Sequence, residues 1–198
     1  MTIYISESGI MSRANPARSL HNPFTCVLRC DMSKLLRPTT SKVREALFNI
    51  LRNKIAGAGF LDLYSGTGAV GLEALRQGAS EVVFVEAGRI YTQDIRHKVS
   101  APGFEGRAKV VTKKVLLFLR SEELKNIGFD IIFMDPPYHT DEAIEALTAI
   151  GKLHLLKHDG VVIAEHFAKR QLPHEAGDLR WEKDYKYGET VLSFYKNI

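Results

Sequence analysis

The residues best suited to chemistry follow a short apolar run near the middle of the chain, F-D-I-I-F-M-D-P-P-Y at residues 129–138. Five of the six residues Phe129–Met134 are apolar, which is typical of a strand buried on both faces of a sheet. The run ends on the carboxylate of Asp135, then on two prolines that donate no backbone hydrogen bond, then on Tyr138. A buried strand that ends on such groups presents them at the edge of a sheet.

These groups suit chemistry on the exocyclic amino group of a nucleobase, which is a poor nucleophile because its lone pair is delocalised into the ring. The Asp135 carboxylate and the Pro136 carbonyl can accept the N–H bonds and localise that lone pair. Pro136 and Pro137 stiffen the loop, and the Tyr138 ring can stack on a base turned out of its helix. An ordinary strand-ending turn is the alternative, since Asp and Pro are common turn residues.

A second motif, F-L-D-L-Y-S-G-T-G-A-V-G at residues 60–71, predicts a nucleoside cofactor. Gly66, Gly68 and Gly71 fit the pattern G-x-G-x-x-G, and Glu86 follows twenty residues after Gly66. The glycines allow a tight turn and a close approach of the backbone to a ligand, while the acid can bond a ribose hydroxyl. The same pattern alone also fits a dehydrogenase.

The identity of the cofactor depends on Asp62, four residues before the first glycine. A carboxylate at this position repels a pyrophosphate, which disfavours NAD, but suits a ligand that carries an ammonium group. S-adenosylmethionine has an α-amino group, a sulfonium and a ribose, and no phosphate. We therefore predict S-adenosylmethionine.

Strands and helices alternate from Phe60 onward, which predicts parallel crossovers and a doubly wound α/β sheet. The predicted strands are Phe60–Leu63, Glu81–Glu86, Ala108–Thr112, Phe129–Asp135 and Gly160–Glu165. The predicted helices between them are Ala69–Gln77, which Gly78 ends, Ile90–Val99, Val115–Leu124 and Asp141–Leu153.

The two ends of the chain have a different pattern. Near the C-terminus, Leu179–Tyr187 and Thr190–Lys196 flank Gly188 and predict an antiparallel hairpin that closes the sheet edge. Before the sheet, Ser41–Ile55 predicts a helix capped by Thr39 or Thr40. The residues that share its apolar face are Val43, Leu47, Ile50 and Leu51.

Composition indicates one globular domain of 198 residues, with 45% hydrophobic and 25% charged residues. No apolar run has membrane-spanning length, and the N-terminus lacks the profile of a signal peptide. Cys26 and Cys30 are too few for a disulfide framework, and His21 supplies at best a third zinc ligand. We expect free thiols in a reducing cytoplasm, no metal site and no membrane partner.

Charge is concentrated in residues 1–54, which hold nine Lys or Arg against three acids, a balance of +6. Residues 55–198 hold eighteen against twenty, a balance of −2. The first region is therefore a candidate docking surface for a polyanion, with a solvated basic face as the alternative.

Five segments together resemble the bacterial 16S ribosomal RNA guanine-N2 methyltransferases, a family of class I S-adenosylmethionine-dependent enzymes. The resemblance covers about residues 34–198, and the first segment is the one that narrows it within methyltransferases. The segments are L-R-P-T-T-S-K-V-R-E-A-L-F-N-I-L (36–51), L-D-L-Y-S-G-T-G-A-V-G-L-E-A-L (61–75), V-F-V-E (83–86), F-D-I-I-F-M-D-P-P-Y (129–138) and Y-G-E-T-V-L (187–192).

The resemblance implies a Rossmann-like, mainly parallel seven-stranded sheet with a reversed final strand. It implies a methyltransferase domain at 55–198 preceded by a basic RNA-docking extension and helix at 1–54. The implied substrate is a guanine in 16S RNA, presented as naked RNA, as the 30S subunit or as an assembly intermediate. The implied enzyme is a monomer in the cytoplasm.

The resemblance also implies a role for each site residue. The guanine amino group is held by Asp135, Pro136, Pro137 and Tyr138. The cofactor is held by Asp62, Tyr64, Ser65, Gly66, Thr67, Gly68 and Glu86. The RNA is contacted by Arg37, Pro38, Thr39, Lys42 and Arg44.

Two segments depart from the family pattern. Residues 1–33 do not match the basic, glycine-containing strand segment with which members usually begin. Lys114 and Val115 stand where members place an acidic or amide residue followed by a small one, near the cofactor adenine. A lysine cannot accept a bond from the adenine amino group, so we expect rearranged adenine recognition with cofactor binding retained.

Other classes of protein share parts of this pattern. Methyltransferases of DNA adenine or cytosine, or of another RNA, use the same Asp-Pro-Pro-Tyr logic, but a duplex reader usually needs more than 198 residues. A glutamine methyltransferase usually has Asn where Asp135 stands. A non-catalytic RNA-binding assembly factor is the alternative outside enzymes, and the intact Asp135–Tyr138 segment argues against it.

Overall fold

The computed structural model describes residues 40–124, 127–138 and 140–198, along which helices and strands alternate. The helices are α1 (Ser41–Leu51), α2 (Ala69–Arg76), α3 (Arg89–Val99), α4 (Val115–Leu119) and α5 (Glu142–Lys152). The strands are β1 (Gly59–Leu63), β2 (Glu81–Glu86), β3 (Ala108–Thr112), β4 (Phe129–Met134), β5 (Leu156–Phe167), β6 (Glu175–Ala176), β7 (Leu179–Tyr187) and β8 (Thr190–Asn197).

All eight strands form one sheet in the order β3-β2-β1-β4-β5-β8-β7-β6. The first five run parallel, and β8 pairs antiparallel with both β5 and β7. The predicted α/β fold and C-terminal hairpin are therefore confirmed. Within the described ranges the sheet has eight strands where seven were expected, because Glu175 and Ala176 pair with the start of β7 and extend the edge. So short a pairing has no periodicity that a sequence pattern could reveal.

Helices cover both faces of the sheet, as a doubly wound fold requires. The apolar side chains of α1, α2 and α3 pack with Phe60 of β1 on one face. Those of α4 and α5 pack with Leu61 and Leu63 on the other. Successive residues of β1 thus point to opposite faces, and both faces are buried.

Helix α1 is part of the core. Its buried side chains are Val43, Leu47, Phe48 and Leu51. Each contributes on the order of 1.5–3 kcal/mol to the free energy of unfolding. Thr40 is the N-cap, because its hydroxyl accepts from the Val43 N–H at 3.3 Å.

Helix α1 ends at Leu51, four residues before the predicted end at Ile55. The N–H groups of Lys54 and Ile55 both donate to the Leu51 carbonyl, so the chain leaves the helix in a turn. That turn leads to Gly57, whose φ of +77° is left-handed.

Helix α4 and strand β5 also differ from the predictions by more than one residue. Helix α4 ends at Leu119, and a separate 3-10 turn covers Glu122–Leu124, because the Ser121 hydroxyl donates to the Phe118 carbonyl and competes with helix continuation. Strand β5 begins at Leu156, since a register shift between Phe129 and Ile131 adds pairing before Gly160.

Gly78 ends α2 as predicted, although the last helical residue is Arg76, one before the predicted Gln77. Gly78 has a φ of +94°, and its N–H donates to the Leu75 carbonyl at 3.2 Å. The Ala79 N–H donates to the Ala74 carbonyl at 3.0 Å. These two bonds form the Schellman motif that a glycine at this position predicts.

Candidate functional site

Three neighbouring strands end together at one edge of the sheet. Leu63, the last residue of β1, lies in register with Val85 of β2 on one side and Met134 of β4 on the other. The glycine loop, Glu86 and Asp135 therefore lie at the ends of adjacent strands. The strand order reverses at β1, and ligands of open α/β sheets bind outside the carboxyl ends at such a point.

The glycine loop turns sharply on left-handed residues. Gly66 has φ +50° and Gly68 has φ +75°. Tyr64 also has a positive φ of +59°, which costs a bulky residue on the order of 1–3 kcal/mol and marks a position under constraint. The Tyr64 side chain packs against the core under α4 and α5, where burial and the neighbouring Glu142 raise the pKa of its phenol.

Ser65 connects this loop to β1 and β2. Its hydroxyl donates to the Asp62 carbonyl at 2.7 Å and accepts from the Val85 N–H at 3.0 Å. These bonds show that the side chain positions the loop. Thr67 is exposed at the tip, and its carbonyl accepts from the Lys98 ammonium at 3.2 Å.

Glu86 holds the loop from the end of β2. One carboxylate oxygen accepts from the Gly66 N–H at 2.9 Å, and the other accepts from the Gly88 N–H at 2.7 Å. A carboxylate has about four lone-pair sites, so two remain for hydroxyl donors. Glu86 is half-buried at the end of β2, beside the glycine loop.

Asp62 caps helix α2. It is 1% exposed, and its carboxylate accepts from the Gly71 N–H at 2.9 Å, near the helix N-terminus, where Gly68 has no side chain to offer. Burial raises the pKa of Asp62 to about 7, the Gly71 bond opposes that shift, and the nearby Glu86 charge adds to it. A cationic ligand at this edge would favour the ionised form.

The raised pKa of Asp62 predicts an unusual dependence of stability on pH. Between about pH 4 and pH 7 the folded protein keeps a proton that the unfolded chain has lost, so the free energy of unfolding falls as pH rises and levels off above 7. The loss is on the order of 4 kcal/mol at most.

Chemical denaturation of Asp62→Asn across this range should show a flatter profile. Asp130→Asn, which removes a partly exposed carboxyl whose pKa Lys157 lowers, should keep the decline. Equal slopes in wild type and Asp62→Asn would contradict the prediction.

Gly71 allows α2 to approach the sheet. A Cβ at this position would overlap the Phe84 ring and lie 2.9 Å from the Asp62 carboxylate. A Cβ at Gly68 would lie 2.8 Å from Ile95. The glycine pattern therefore serves helix–sheet packing as well as the turn.

We expect Gly71→Ala to destabilise the protein although alanine is the better helix former. Helix propensity favours alanine by about 1 kcal/mol. Overpacking against Phe84 costs about 1–3 kcal/mol and should prevail. Thermal unfolding monitored by circular dichroism measures the balance, and an increase in melting temperature would show that the ring moves aside freely.

The Asp-Pro-Pro-Tyr loop lies beside the glycine loop. Asp135 is half-buried, and its N–H donates to the Leu63 carbonyl at 3.4 Å. Pro136 is buried, whereas Pro137 is exposed and its carbonyl accepts from the Thr140 hydroxyl at 3.1 Å. Tyr138 is half-buried. The structure thus brings the predicted amino-group residues and the predicted cofactor residues to one edge.

Three residues of β5 and the turn after it contact this loop, and the sequence patterns did not identify them. They are Glu165, Phe167 and Arg170. One signal was present, since Glu165 ends an apolar run at the carboxyl edge as Glu86 and Asp135 do.

The predicted RNA residues are only partly described. Lys42 is exposed and Arg44 is half-buried on α1. Arg37, Pro38 and Thr39 lie outside the described residues, as do Cys26, Cys30 and His21. Within the described ranges, no cluster of three or more His, Cys, Asp or Glu side chains could hold a metal ion, and no helix is long and apolar enough to cross a membrane.

Helix α4 begins at Lys114 and Val115, the pair that departs from the family pattern at the predicted adenine position. Lys114 is exposed and is the N-cap, but its side chain makes no capping hydrogen bond. Val115 is buried in the core. The Lys113 N–H donates to the Glu86 carbonyl at 3.1 Å, so this segment adjoins the proposed ribose position.

These groups fit an adenosyl cofactor with an amino-acid tail and do not fit a pyrophosphate. Glu86 offers acceptors to a ribose, and the left-handed glycines bring the backbone close to the ligand. The Glu86 carboxylate beside the loop would repel phosphates. These groups therefore favour S-adenosylmethionine over NAD.

Comparison with known proteins agrees with this chemistry. A family model described as "Conserved hypothetical protein 95" matches residues 27–196. The "Putative rRNA methyltransferase YlbH" of Bacillus subtilis (strain 168) is 33% identical over 160 residues, 81% of this chain and 87% of that protein. The "Ribosomal RNA small subunit methyltransferase D" of Escherichia coli (strain K12) is 29% identical over 81% of this chain and 79% of that protein.

A solved structure shows the same fold. The "Putative methyltransferase yhhF from Escherichia coli" superposes with a TM-score of 0.71 at 28% identity, covering 82% of this chain and 88% of that one. The family resemblance and the methyltransferase fold predicted from the motifs are thus confirmed. The chain belongs to the family described as Conserved hypothetical protein 95, and it has the fold of a class I, S-adenosylmethionine-dependent methyltransferase.

Proposed function

We propose that this protein transfers a methyl group from S-adenosylmethionine to the exocyclic N2 amino group of a guanine in 16S ribosomal RNA. The observation that carries the proposal is the meeting of two loops at the ends of β1 and β4. The Asp135–Tyr138 loop offers acceptors and a ring, and the glycine loop with Glu86 offers a cofactor site. The name of the Escherichia coli relative supports the small-subunit RNA as substrate.

The chemistry requires the chain to localise a lone pair. When bound, S-adenosylmethionine supplies a methyl group on a positively charged sulfur. The Asp135 carboxylate and the Pro136 carbonyl accept the two N–H bonds of the amino group and direct its lone pair out of the ring plane. Buried Pro136 keeps its carbonyl in place, so little reorganisation is needed at the moment of transfer. The Tyr138 ring supports the extruded base by stacking.

Cofactor orientation follows from the acids on the other side of the site. Glu86 accepts from the ribose hydroxyls with the lone pairs that Gly66 and Gly88 leave unused. The α-ammonium group favours the ionised form of the buried Asp62 carboxyl, which then supplies negative charge toward it. The backbone around Lys113 and Lys114 provides acceptors for the adenine amino group, which the lysine side chains cannot.

RNA docking rests on the charge of residues 1–54. The balance of +6 in this region, against −2 in the rest, suits a polyanion, and α1 presents exposed Lys42 from it. We assign Arg37, Pro38, Thr39, Lys42 and Arg44 to the RNA surface. The protein binds 16S RNA or a 30S particle as a monomer in the cytoplasm.

The function is tested by nucleoside analysis. The protein is incubated with isotope-labelled S-adenosylmethionine and 16S RNA or 30S particles that lack the modification, and the digested nucleosides are separated by mass spectrometry. Labelled N2-methylguanosine is expected. Label in methyladenosine or methylcytidine, or in neither RNA preparation, would refute the proposal, and cofactor binding without any transfer would favour the assembly-factor alternative.

Docking through residues 1–54 predicts that RNA affinity falls steeply with salt. Charge reversal in Arg37→Glu with Lys42→Glu should weaken RNA binding by roughly 10-fold or more at low salt and reduce the salt slope by about two. Cofactor affinity should be nearly unchanged. A matched control is Arg76→Glu with Lys152→Glu, which makes the same charge change at exposed sites elsewhere. Equal RNA affinities for the two double variants would show that docking occurs on another surface.

A further inference from the structure

The turn after β5 holds the Asp-Pro-Pro-Tyr loop through its backbone. Arg170 donates from Nη1 to the Tyr138 carbonyl at 3.3 Å and from Nη2 to the Asp141 carboxylate at 2.9 Å. The Arg170 N–H donates to the Phe167 carbonyl at 2.8 Å, which closes the turn. One guanidinium therefore spans the loop from Tyr138 to the residue before α5.

The side chain of Tyr138 is held by the same strand. Its hydroxyl donates to the Glu165 carboxylate at 3.3 Å, and Glu165 is buried. Its ring centroid lies 6.4 Å from that of Phe167, with the planes inclined by 33°. Tyr138 is thus contacted at its backbone by Arg170, at its ring by Phe167 and at its hydroxyl by Glu165.

A stacking platform is useful only if it keeps its orientation before the base arrives. A ring that must be ordered on binding costs conformational entropy, and a misplacement of about 1 Å at a reacting centre can cost 100-fold in rate. The contacts of Tyr138 come from β5 and the turn after it, on the rigid sheet next to β4. They fix the ring beside Asp135.

We propose that Arg170 is a positioning residue for methyl transfer, which acts by holding Tyr138 in the orientation that receives the target base. This proposal rests on the proposed function. The Arg170–Asp141 pair includes a carboxylate that is 84% exposed, and exposed pairs add little to stability. Arg170 itself is only 20% exposed, so its substitution changes the loop geometry and can also lower stability.

A kinetic test separates this role from a structural one. Single-turnover methylation of 30S particles lacking the modification is measured at saturating cofactor and enzyme for wild type, Arg170→Gln, Tyr138→Ala and the double variant. Arg170→Gln should slow the step by roughly 10-fold or more. Its affinity for S-adenosylhomocysteine should stay close to that of wild type, and rates are compared at a temperature at which both proteins are folded.

The double variant tests whether Arg170 acts through the Tyr138 ring. If Arg170 acts through the Tyr138 ring, the double variant is no slower than Tyr138→Ala, because the ring that Arg170 positions is already gone. Losses that multiply would overturn the proposal. Arg170→Lys should recover part of the rate, since a lysine can still reach one acceptor. Arg180→Gln, at an exposed ion pair on β7, should behave as wild type.

A second measurement does not depend on activity. The protein is labelled with 3-fluorotyrosine, and the Tyr138 resonance is assigned by its loss in Tyr138→Phe. Arg170→Gln should shift or broaden that ¹⁹F line, and Arg180→Gln should not. An unchanged line would overturn the positioning role even if the rate falls. Failure of wild type to methylate any RNA would count against the proposed function alone.

Discussion

Asp135→Ala should lower turnover by roughly 100-fold or more at saturating RNA and cofactor, the scale seen when one preorganised polar partner is removed. The substitution removes the carboxylate that we propose accepts from the amino group, while β4 and both prolines stay. The affinity for S-adenosylhomocysteine should be nearly unchanged, because the proposed cofactor site, at Glu86 and the glycine loop, lies on the other side of β1.

Two variants calibrate that result. Asp135→Asn keeps one side-chain acceptor without the negative charge and should retain more activity than Asp135→Ala. Asp159→Ala removes an exposed carboxylate at the far end of the sheet and should act as wild type. Rates are measured by transfer of labelled methyl groups to unmodified 30S particles. Wild-type turnover in Asp135→Ala would mean that the carboxylate only forms the turn, and the mechanism would be wrong.

Glu86→Ala should weaken binding of S-adenosylmethionine or S-adenosylhomocysteine by roughly 10- to 150-fold. Hydrogen bonds to a charged group contribute about 1.5–3 kcal/mol, which corresponds to that range. The loss should lie toward the upper end, because the same carboxylate also accepts from Gly66 and Gly88 and so shapes the glycine loop.

The matched control for this variant lies on the same strand. Glu81→Ala removes an exposed acid at the opposite end of β2 and should leave the affinity unchanged. Titration calorimetry on the full chain measures both. Equal affinities for wild type and Glu86→Ala would remove Glu86 from the site, and tight NAD binding with none of the adenosyl ligands would overturn the cofactor assignment.

Much of the fold could be predicted because its signals are local. Strand β2 has the predicted bounds, since a buried strand in a parallel sheet is an unbroken apolar run. The end of α2 was equally clear, because only a glycine easily adopts the left-handed conformation at Gly78. The predicted boundaries were wrong at the ends of α1 and α4. There the end of the helix depends on which N–H or hydroxyl group donates to the Leu51 and Phe118 carbonyls.

Candidate site residues could be identified from the sequence, but some of their contacts could not. Asp135, Tyr138, Glu86 and Asp62 were identifiable because a carboxylate or ring beside a strand end is conspicuous in the chain. That Asp62 caps α2 was not predictable. Its partner Gly71 is nine residues away and meets it only after the helix packs back on β1.

The sequence by itself determined the alternation of strands and helices, the chemistry at the strand ends and the concentration of basic residues before the sheet, because these depend on covalent identity and near neighbours. Only the tertiary structure decided which strand ends adjoin, that an eighth strand extends the edge, and that Arg170 reaches Tyr138 across 32 residues of chain. The physical reason is that strand order and such distant contacts are selected by burial of both sheet faces together, a property of the whole core that no local pattern contains.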